Sequence, residues 1–285
     1  MRFSVSYNAR ISSRAAGTTL LAICLALTMA LPQTVLAQTT KEQPEYKGVV
    51  ALDLSIASLA ISAWGISQWG WFTQSPVSKT EDWFGKNTSS GGADKTGHLY
   101  MSYVLSELFM LDFKRHGVKN PERKAALSAL AAMTLVEIGD ATSDKFGFSS
   151  EDLVADAIGV AASWWLGVNP VWDDRIDLRM EYWPSNGYNL KNDAVSDYSG
   201  MKHLIALRAD GFQSLRSTPL KWLELQAGYY TRGFRTFDEE DKPTRHTYLG
   251  LGISLPVLAG KNSKIGKVLS YVQPPGFNLE IDKEF

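Results

Sequence analysis

The chain of 285 residues has little of several residue types, and each shortage excludes a class of protein. Its single cysteine, Cys24, excludes a disulfide scaffold, because no second thiol is present to pair with it. Lys and Arg number 29 against 30 Asp and Glu, so no basic excess is available to neutralise a nucleic-acid backbone. The sequence also lacks a Gly-rich phosphate loop, a G-x-S-x-G elbow and an H-E-x-x-H zinc motif. What remains is an ordinary globular balance of 45% hydrophobic and 21% charged residues.

Residues 1–37 have the features of a secretory signal peptide. A positive amino-terminal region without acidic residues is formed by Arg2, Arg10 and Arg14. It is followed by the apolar run Thr18–Pro32 and by a small-residue cleavage site ending at Ala37. Cys24 follows Ile23, where lipoprotein processing needs a small residue, so we expect cleavage after Ala37 without a lipid anchor. An uncleaved amino-terminal anchor is the alternative, and both interpretations predict export.

The next part of the chain has apolar residues at helical spacing. Four segments are predicted to be helices: Gly48–Phe72, Asp94–His116, Pro121–Asp140 and Ser150–Gly167. Asn120 followed by Pro121 is typical of a helix start, and the run from Ser149 to Asp152 resembles a capping box. The apolar runs approach the ~20 residues that span a bilayer, but acidic residues interrupt them. We therefore expect a compact bundle.

After Pro170 the period changes from about 3.6 to two residues. Five strands are predicted, at Ile176–Tyr182, Met201–Ala209, Trp222–Phe234, His246–Leu255 and Gly276–Phe285. The last segment is also typical of the final strand of an outer-membrane barrel, but five strands are fewer than the eight of the smallest such barrels. We predict an α+β fold, with a bundle of about four helices (38–169) followed by an antiparallel meander (170–285). The sheet is expected to pack against the helices or a membrane surface.

The helical segments contain the one constellation that can carry chemistry. It consists of spaced acidic residues and a histidine: Asp94 and His98, Glu137 and Asp140, and Asp152 and Asp156. Pairs at i and i+3 or i+4 share a helix face, so a bundle can bring these groups together to bind a divalent metal or to exchange protons. Each also has a structural alternative. The Asp residues can cap helices, Glu137 and Asp140 can form a solvated helix end, and His98 can be a hydrogen-bonded core residue.

The same residues form a pattern that resembles a known family. The pattern is D-K-T-G-H from Asp94 to His98, then Glu137, then G-F-S-S-E-D-L-V-A-D-A-I-G from Gly147 to Gly159. Over about residues 83–167 it is similar to the YfiM-like family of predicted periplasmic lipoproteins, whose domain has no established activity. A looser similarity extends to VanZ-like membrane proteins, which share the order of these motifs. The resemblance implies a periplasmic location and a shared role for Asp94, His98, Glu137, Asp152 and Asp156.

Two functional hypotheses follow. The first is an exported envelope protein in the periplasm, in contact with the outer membrane or other envelope components, whose His and carboxylate groups hold the helices together. The alternative is a metal-assisted hydrolase or transferase that acts on a lipid or cell-wall component. Under that alternative, the candidate catalytic residues are His98, Glu137 and Asp156. The candidate ligands of a divalent metal are Asp94, His98, Glu137, Asp152 and Asp156.

Overall fold

The helices precede the sheet, as predicted. The computed structural model describes residues 48–185, 188, 194–234 and 242–285, and the predicted signal peptide lies outside these ranges. The helices are α1 (Val49–Trp64, continued by a π-helical turn at Gly65–Trp69), α2 (Ala93–Arg115), α3 (Pro121–Asp140), α4 (Ser150–Val168), α5 (Pro170–Asp173), α6 (Leu255–Leu258) and α7 (Lys264–Leu269). The strands are β1 (Ile176–Tyr182), β2 (Met201–Arg208), β3 (Leu223–Arg232), β4 (Thr244–Ile253), β5 (Val272–Gln273) and β6 (Asn278–Glu284). Short 3₁₀ turns lie at Ala194–Ser196, Tyr198–Gly200, Ala209–Gly211 and Pro219–Trp222.

Local chemistry explains where the long helices begin. Pro121 occupies the first position of α3, where its missing N–H costs no hydrogen bond. At the start of α4, the Ser149 hydroxyl accepts a hydrogen bond from the Asp152 backbone N–H at 3.2 Å. The second half of a capping box is replaced by a tertiary contact, because the Ser149 N–H donates to Glu137 of α3 at 3.0 Å. The predicted cap therefore also ties α4 to α3.

Helices α2, α3 and α4 pack closely around a shared apolar centre. Phe113, Ala125 and Ala129 are completely buried there. Gly159 of α4 lies directly against α2, where a Cβ would overlap the Leu99 carbonyl oxygen and the Ser102 hydroxyl. The two helices can approach this closely only because the glycine has no side chain. This close approach brings the polar first turns of α2 and α4 together.

Helix α1 lies on α3 and is the least buried of the long helices. Leu52, Ile56 and Leu59 are all more than half exposed. The span Val49–Trp69 is long and apolar enough to cross a membrane, and 11% of its most apolar window is buried. Its one charged residue is Asp53. The expected compact packing therefore describes α2–α4 better than it describes α1.

The six strands form one sheet in the order β5-β1-β2-β3-β4-β6. All five predicted strands are present. The prediction of a purely antiparallel meander needs correction, because β5 pairs in parallel with β1 through Met180–Val272 and Glu181–Gln273. A strand of two residues is too short to show a period in the sequence, and the short helices α6 and α7 before it also escaped prediction. The α+β fold class is confirmed, with a mixed sheet.

The sheet shares its core with the bundle. Tyr100, Tyr103 and Val104 of α2 pack against Leu178 and Met180 of β1 in one buried cluster. The Tyr100 hydroxyl also donates a hydrogen bond to the Tyr271 carbonyl, just before β5, at 2.8 Å. Apolar contacts thus join the helical and β regions, although the sequence period changes between them.

Candidate functional site

Charged side chains converge where the first turns of α2 and α4 meet the last turn of α3. This helical charge cluster consists of Glu81, Asp94, Lys95, His98, Glu137, Asp140, Asp152 and Asp156. The structure therefore brings together the residues that the sequence pattern singled out. Most of their side chains are buried, with Asp156 fully enclosed and Glu137 only 1% exposed. Six carboxyl groups surround two basic side chains, so the cluster has an acidic excess.

His98 is the central contact of one half of the cluster. Its Nδ1 atom lies 3.3 and 3.4 Å from the two carboxylate oxygens of Asp156 and 3.7 Å from Oε1 of Glu137. The other Glu137 oxygen accepts the backbone hydrogen bond from Ser149. The His98 side chain is 18% exposed, which makes it the most accessible member of this half. His98 thus links all three helices at their meeting point.

Lys95 occupies the other half of the cluster. Its Nζ atom lies 2.7 Å from Glu81, 2.8 Å from Asp94 and 2.7 Å from Asp152. Only 3% of the side chain is exposed, so the ammonium group has exchanged water for three carboxylates. Sequence reasoning did not select Lys95 or Glu81. The available signal was the position of this lysine inside the D-K-T-G-H motif, between Asp94 and His98. The predicted cap at Asp94 is wrong, because Gly92 is the N-cap residue and Asp94 lies in the first turn of α2.

Asp140 lies at the margin of the cluster and has a separate partner. Its Oδ1 accepts a hydrogen bond from the Trp71 indole N–H at 2.6 Å. The buried Trp71 ring is held between Gly65 and Gly139, where any Cβ would overlap the ring. The hydrogen bond between Trp71 and Asp140 therefore links the residues that follow α1 to α3. Asp140 does not contact His98 directly.

The pKa values of most of these groups are raised, by different causes in the basic and the acidic side chains. Burial alone lowers the pKa of His98, but the hydrogen bond with Asp156 and the charges of Asp152 and Glu137 raise it to about 10. Burial raises the pKa of Glu137 to about 8 and that of Asp140 to about 6, and it also raises the pKa of Asp156. Burial opposes the charge on Lys95, yet Asp94 and Asp152 hold its pKa above the usual value. His98 and Lys95 are therefore cationic at neutral pH.

The donor atoms of the cluster also suit a small cation. One ligand atom each from His98, Glu137 and Asp152 lies within 4.8 Å of the other two, a grouping that one divalent ion can bridge. A second such trio is Glu81, Asp94 and Asp152, but the Lys95 ammonium already lies among these oxygens. The His98 trio is therefore the better candidate for a metal, and His98 and Glu137 would release their protons when one binds. This arrangement supports either a structural ion pair network or a metal site.

A second buried charge network lies on the sheet, and sequence reasoning missed it. Arg179 of β1 is fully buried and donates two parallel hydrogen bonds to Glu224 of β3, at 2.8 and 2.9 Å. It also donates to Asp177 at 3.0 Å and to Gln273 of β5 at 2.9 Å. Gln273 in turn donates to Glu181 at 2.8 Å. We call this group the sheet network.

One further carboxyl group, which is half-buried, lies between bundle and sheet. Glu107 of α2 accepts a hydrogen bond from Ser163 of α4 at 2.7 Å and contacts the Tyr271 hydroxyl at 3.5 Å. Burial raises its pKa to about 7. Its position was not predicted, because an acidic residue in an amphipathic helix usually faces water.

Comparison with known proteins identifies a likeness over part of the chain. Residues 80–167 match the model of a family described as "Predicted periplasmic lipoprotein (DUF2279)". No curated protein and no solved structure matches the chain. The matched range contains every residue of the helical charge cluster and supports the predicted periplasmic location, while the narrower YfiM-like and VanZ-like similarities stay predictions. Over residues 80–167, this chain is thus similar to a family of predicted periplasmic lipoproteins.

Proposed function

We propose that this is a non-enzymatic cell-envelope protein that associates with the periplasmic face of the outer membrane. The observation that carries the proposal is the exposed apolar side of α1, where Leu52, Ile56 and Leu59 face outward. Each aliphatic side chain of this kind gains roughly 1.5–3 kcal/mol when it is fully removed from water. A membrane surface beside α1 supplies that burial, and the family likeness supports the periplasmic side.

In this proposal the helical charge cluster is the structural centre of the bundle. Four of its six carboxyl groups are buried, and Lys95 and His98 contact groups from more than one element. Removing one member leaves the others as buried charges without a partner, which is costly. The cluster therefore specifies how α2, α3 and α4 meet.

A metal-assisted hydrolase or transferase is the second candidate, and one observation favours it. The donor atoms of His98, Glu137 and Asp152 lie close enough together to share a divalent ion, and His98 is partly accessible. A metal at this position activates water or polarises a substrate oxygen. The substrate would be a lipid or cell-wall component, as a protein seated on a membrane would encounter.

Vesicle flotation tests the membrane association. The mature chain is mixed with phosphatidylethanolamine and phosphatidylglycerol vesicles, and the floating fraction is measured. Ile56→Ser with Leu59→Ser on α1 should reduce flotation strongly. Leu127→Ser with Ile138→Ser on α3 is the matched control, because these side chains are similarly exposed. Absence of flotation for the unmodified protein would overturn the proposal.

Metal content separates the two functional candidates. The purified protein is dialysed, and its bound divalent metal is measured beside His98→Ala. Stoichiometric metal that disappears in the variant would favour the hydrolase or transferase. A metal-free protein that is destabilised by His98→Ala would favour the structural cluster.

A further inference from the structure

The sheet turns charged side chains towards its closed face and leaves aliphatic side chains exposed on the other. Strand register places Arg179, Glu224 and Gln226 on the closed face, beside the buried apolar side chains of Leu204 and Ala206, and each of the three is at most 2% exposed. The opposite face is aliphatic. Helix α2 buries its part on β1, at Leu178 and Met180, and the part on the following strands is exposed. Its exposed members, which we call the aliphatic face, are Ile205, Leu225, Leu249, Leu251, Ile253, Leu279 and Ile281.

The aliphatic face is a continuous patch rather than a set of scattered residues. Leu225 pairs with Leu251, and Leu251 pairs with Leu279, so one row crosses β3, β4 and β6. The neighbouring row contains the pair Leu249–Ile281. These seven side chains are between 44% and 78% exposed. Single exposed aliphatic residues are common, but a contiguous patch of this extent marks an interaction surface.

The charged groups on the closed face indicate that the medium beside the exposed aliphatic face is apolar. A sheet folding in water alone gains most by turning its aliphatic side chains inward and its ions outward. Here Arg179 donates two hydrogen bonds to Glu224 on the closed face, while leucine and isoleucine side chains are exposed on the other face. Alternation of polar-in and apolar-out residues is the pattern of strands that contact lipid.

One margin of the aliphatic face carries the chemistry of a membrane interface. Trp222 lies just before β3, and Trp172 lies before β1. Both are at the same end of the strands, because the last residues of β2 pair with the first residues of β1 and of β3. Lys221 lies over the Trp222 ring at 5.2 Å, and Arg175 lies over the Trp172 ring at 5.3 Å. Tryptophan with a cation beside it is favoured where hydrocarbon meets headgroups.

The segment that follows β4 starts at this same end of the strands and is cationic. Residues 255–270 contain Lys261, Lys264 and Lys267 and no acidic residue. Lys261 is paired with Asp174 and Asp210 of other segments, so Lys264 and Lys267 supply the available charge. Exposed Leu258 and Ile265 lie among these lysines. The combination of positive charge and exposed aliphatic groups is complementary to a leaflet with anionic headgroups.

We infer that the aliphatic face and its cationic margin form a second lipid-contact surface, which docks on an anionic phospholipid leaflet. This inference rests on the proposed membrane association and deepens it. Leucine and isoleucine side chains enter the acyl region, Trp172 and Trp222 lie at its boundary, and Lys264 and Lys267 contact headgroup phosphates. The occupant is lipid rather than a second copy, because the margin is positively charged and repels an identical margin.

Vesicle partitioning tests the surface directly. Leu249→Ser, Leu251→Ser and Leu279→Ser, combined in one variant, should lower partitioning into phosphatidylethanolamine and phosphatidylglycerol vesicles by about 100-fold. Lys264→Gln with Lys267→Gln should lower it by about tenfold, and Lys261→Gln, which removes a lysine already paired with Asp174 and Asp210, should lower it less. Vesicles of phosphatidylcholine alone should bind the unmodified protein more weakly. Circular dichroism confirms that the variants fold.

A cysteine label reports contact independently of affinity. Because the mature chain is predicted to lack cysteine, a fluorophore can be attached at Leu279→Cys or, as a control, at the exposed Lys119→Cys in the turn before α3. Spin-labelled lipid should quench the probe at position 279 and not the probe at position 119. Quenching at 279 only by an aqueous quencher would overturn the inference.

The outcomes distinguish this inference from the proposed function. If the α1 variant loses flotation while the sheet variant binds normally, the membrane association stands and the sheet surface is wrong. If neither form of the protein binds vesicles, both fail. If sedimentation shows that the leucine variants convert a dimer to a monomer without changing vesicle binding, the aliphatic face is a dimer interface and the inference is overturned.

Discussion

The helical charge cluster and the sheet network are both buried, yet they balance their charges differently. In the sheet network, Arg179 directs its guanidinium at Glu224, Asp177 and Gln273, all within 3.0 Å. The helical charge cluster holds six carboxyl groups against Lys95 and His98, and the contacts of His98 are 3.3 Å or longer. The planar guanidinium matches a carboxylate in two hydrogen bonds, whereas an ammonium or imidazole group does not.

The comparison separates a cation whose donors are all used from one that is partly open to solvent. Every N–H group of Arg179 has a carboxylate or amide acceptor, although Glu181, at the end of the sheet network, keeps one buried oxygen without a hydrogen bond. The helical cluster has raised pKa values at Glu137 and Asp140 and a partly exposed histidine. Both networks hold more carboxylates than cations, so an excess of buried charge is not in itself a sign of function. The access of solvent to the group is more informative.

The largest effect is expected from breaking the sheet network. Arg179→Ala leaves Glu224 buried without its cation and removes one of the two arginines beside Asp177, so it should destabilise the protein by about 3–5 kcal/mol. The measurement is urea-induced unfolding followed by circular dichroism. Arg216→Ala is the control, because Arg216 pairs with Asp174 at an exposed position and should cost less than about 1 kcal/mol. Equal losses in the two variants would contradict the proposed importance of the network.

A smaller loss is expected when the helical cluster is broken at its centre. His98→Ala should destabilise the protein by about 2–3 kcal/mol, less than Arg179→Ala, because water can reach part of the vacated space. A double-mutant cycle with Glu137→Ala should give a coupling energy above about 0.5 kcal/mol, since the two side chains share one network. Thermal unfolding of the single and double variants provides the values. Strict additivity would show that His98 and Glu137 do not act together.

The close packing of the helices gives the next test. Gly159→Ala places a methyl group against the Leu99 carbonyl and the Ser102 hydroxyl of α2 and should cost about 2 kcal/mol through overpacking. Ile158→Ala, at a largely exposed neighbouring position, is the control for a change on the same helix. Denaturant unfolding measures both variants. An unchanged Gly159→Ala protein would show that α2 and α4 can separate without loss.

The smallest expected effect concerns pH and Glu107. Burial raises the pKa of Glu107 from 4.5 to about 7, so between these values the folded state holds more protons than the unfolded state. Stability from this group is therefore lost as the pH rises through that window. The full shift corresponds to a decline of roughly 2.5 kcal/mol between pH 5 and pH 8. Because water screens this half-buried group, we expect a decline of about 1 kcal/mol, which Glu107→Gln should remove. Unfolding across this range checks the slope, with Glu284→Gln at the exposed end of β6 as the control for lost charge.

The regular elements could be predicted from the sequence because their periods are long and clear. Alternation from Ile176 to Tyr182 defined β1, and Pro121 and Ser149 marked the starts of α3 and α4. The two residues of β5 show no period, so the parallel edge of the sheet depends on contacts that only the folded chain reveals. Local patterns predict local structure, and pairings between distant segments require the tertiary fold.

The candidate site was predicted only in part. The spacing of Asp94 and His98 and that of Asp152 and Asp156 placed these groups on shared faces, and the structure brings them together. Lys95 was overlooked because lysine is usually exposed, and here its burial depends on three carboxylates from separate segments. The aliphatic face was overlooked for a different reason. Alternation in a strand shows which residues share a face, but it does not tell which of the two faces is closed off.

The pairing of β5 with β1 also has a consequence for the order of assembly. Gln273, which completes the hydrogen bonds of Arg179, lies 94 residues after it in the chain. During synthesis, β1 is made long before this partner, and contacts between such distant positions form slowly. Arg179 therefore stays incompletely bonded until β5 has been made. Loss of β5 would first affect the hydrogen bonds of Arg179 in the neighbouring strand β1.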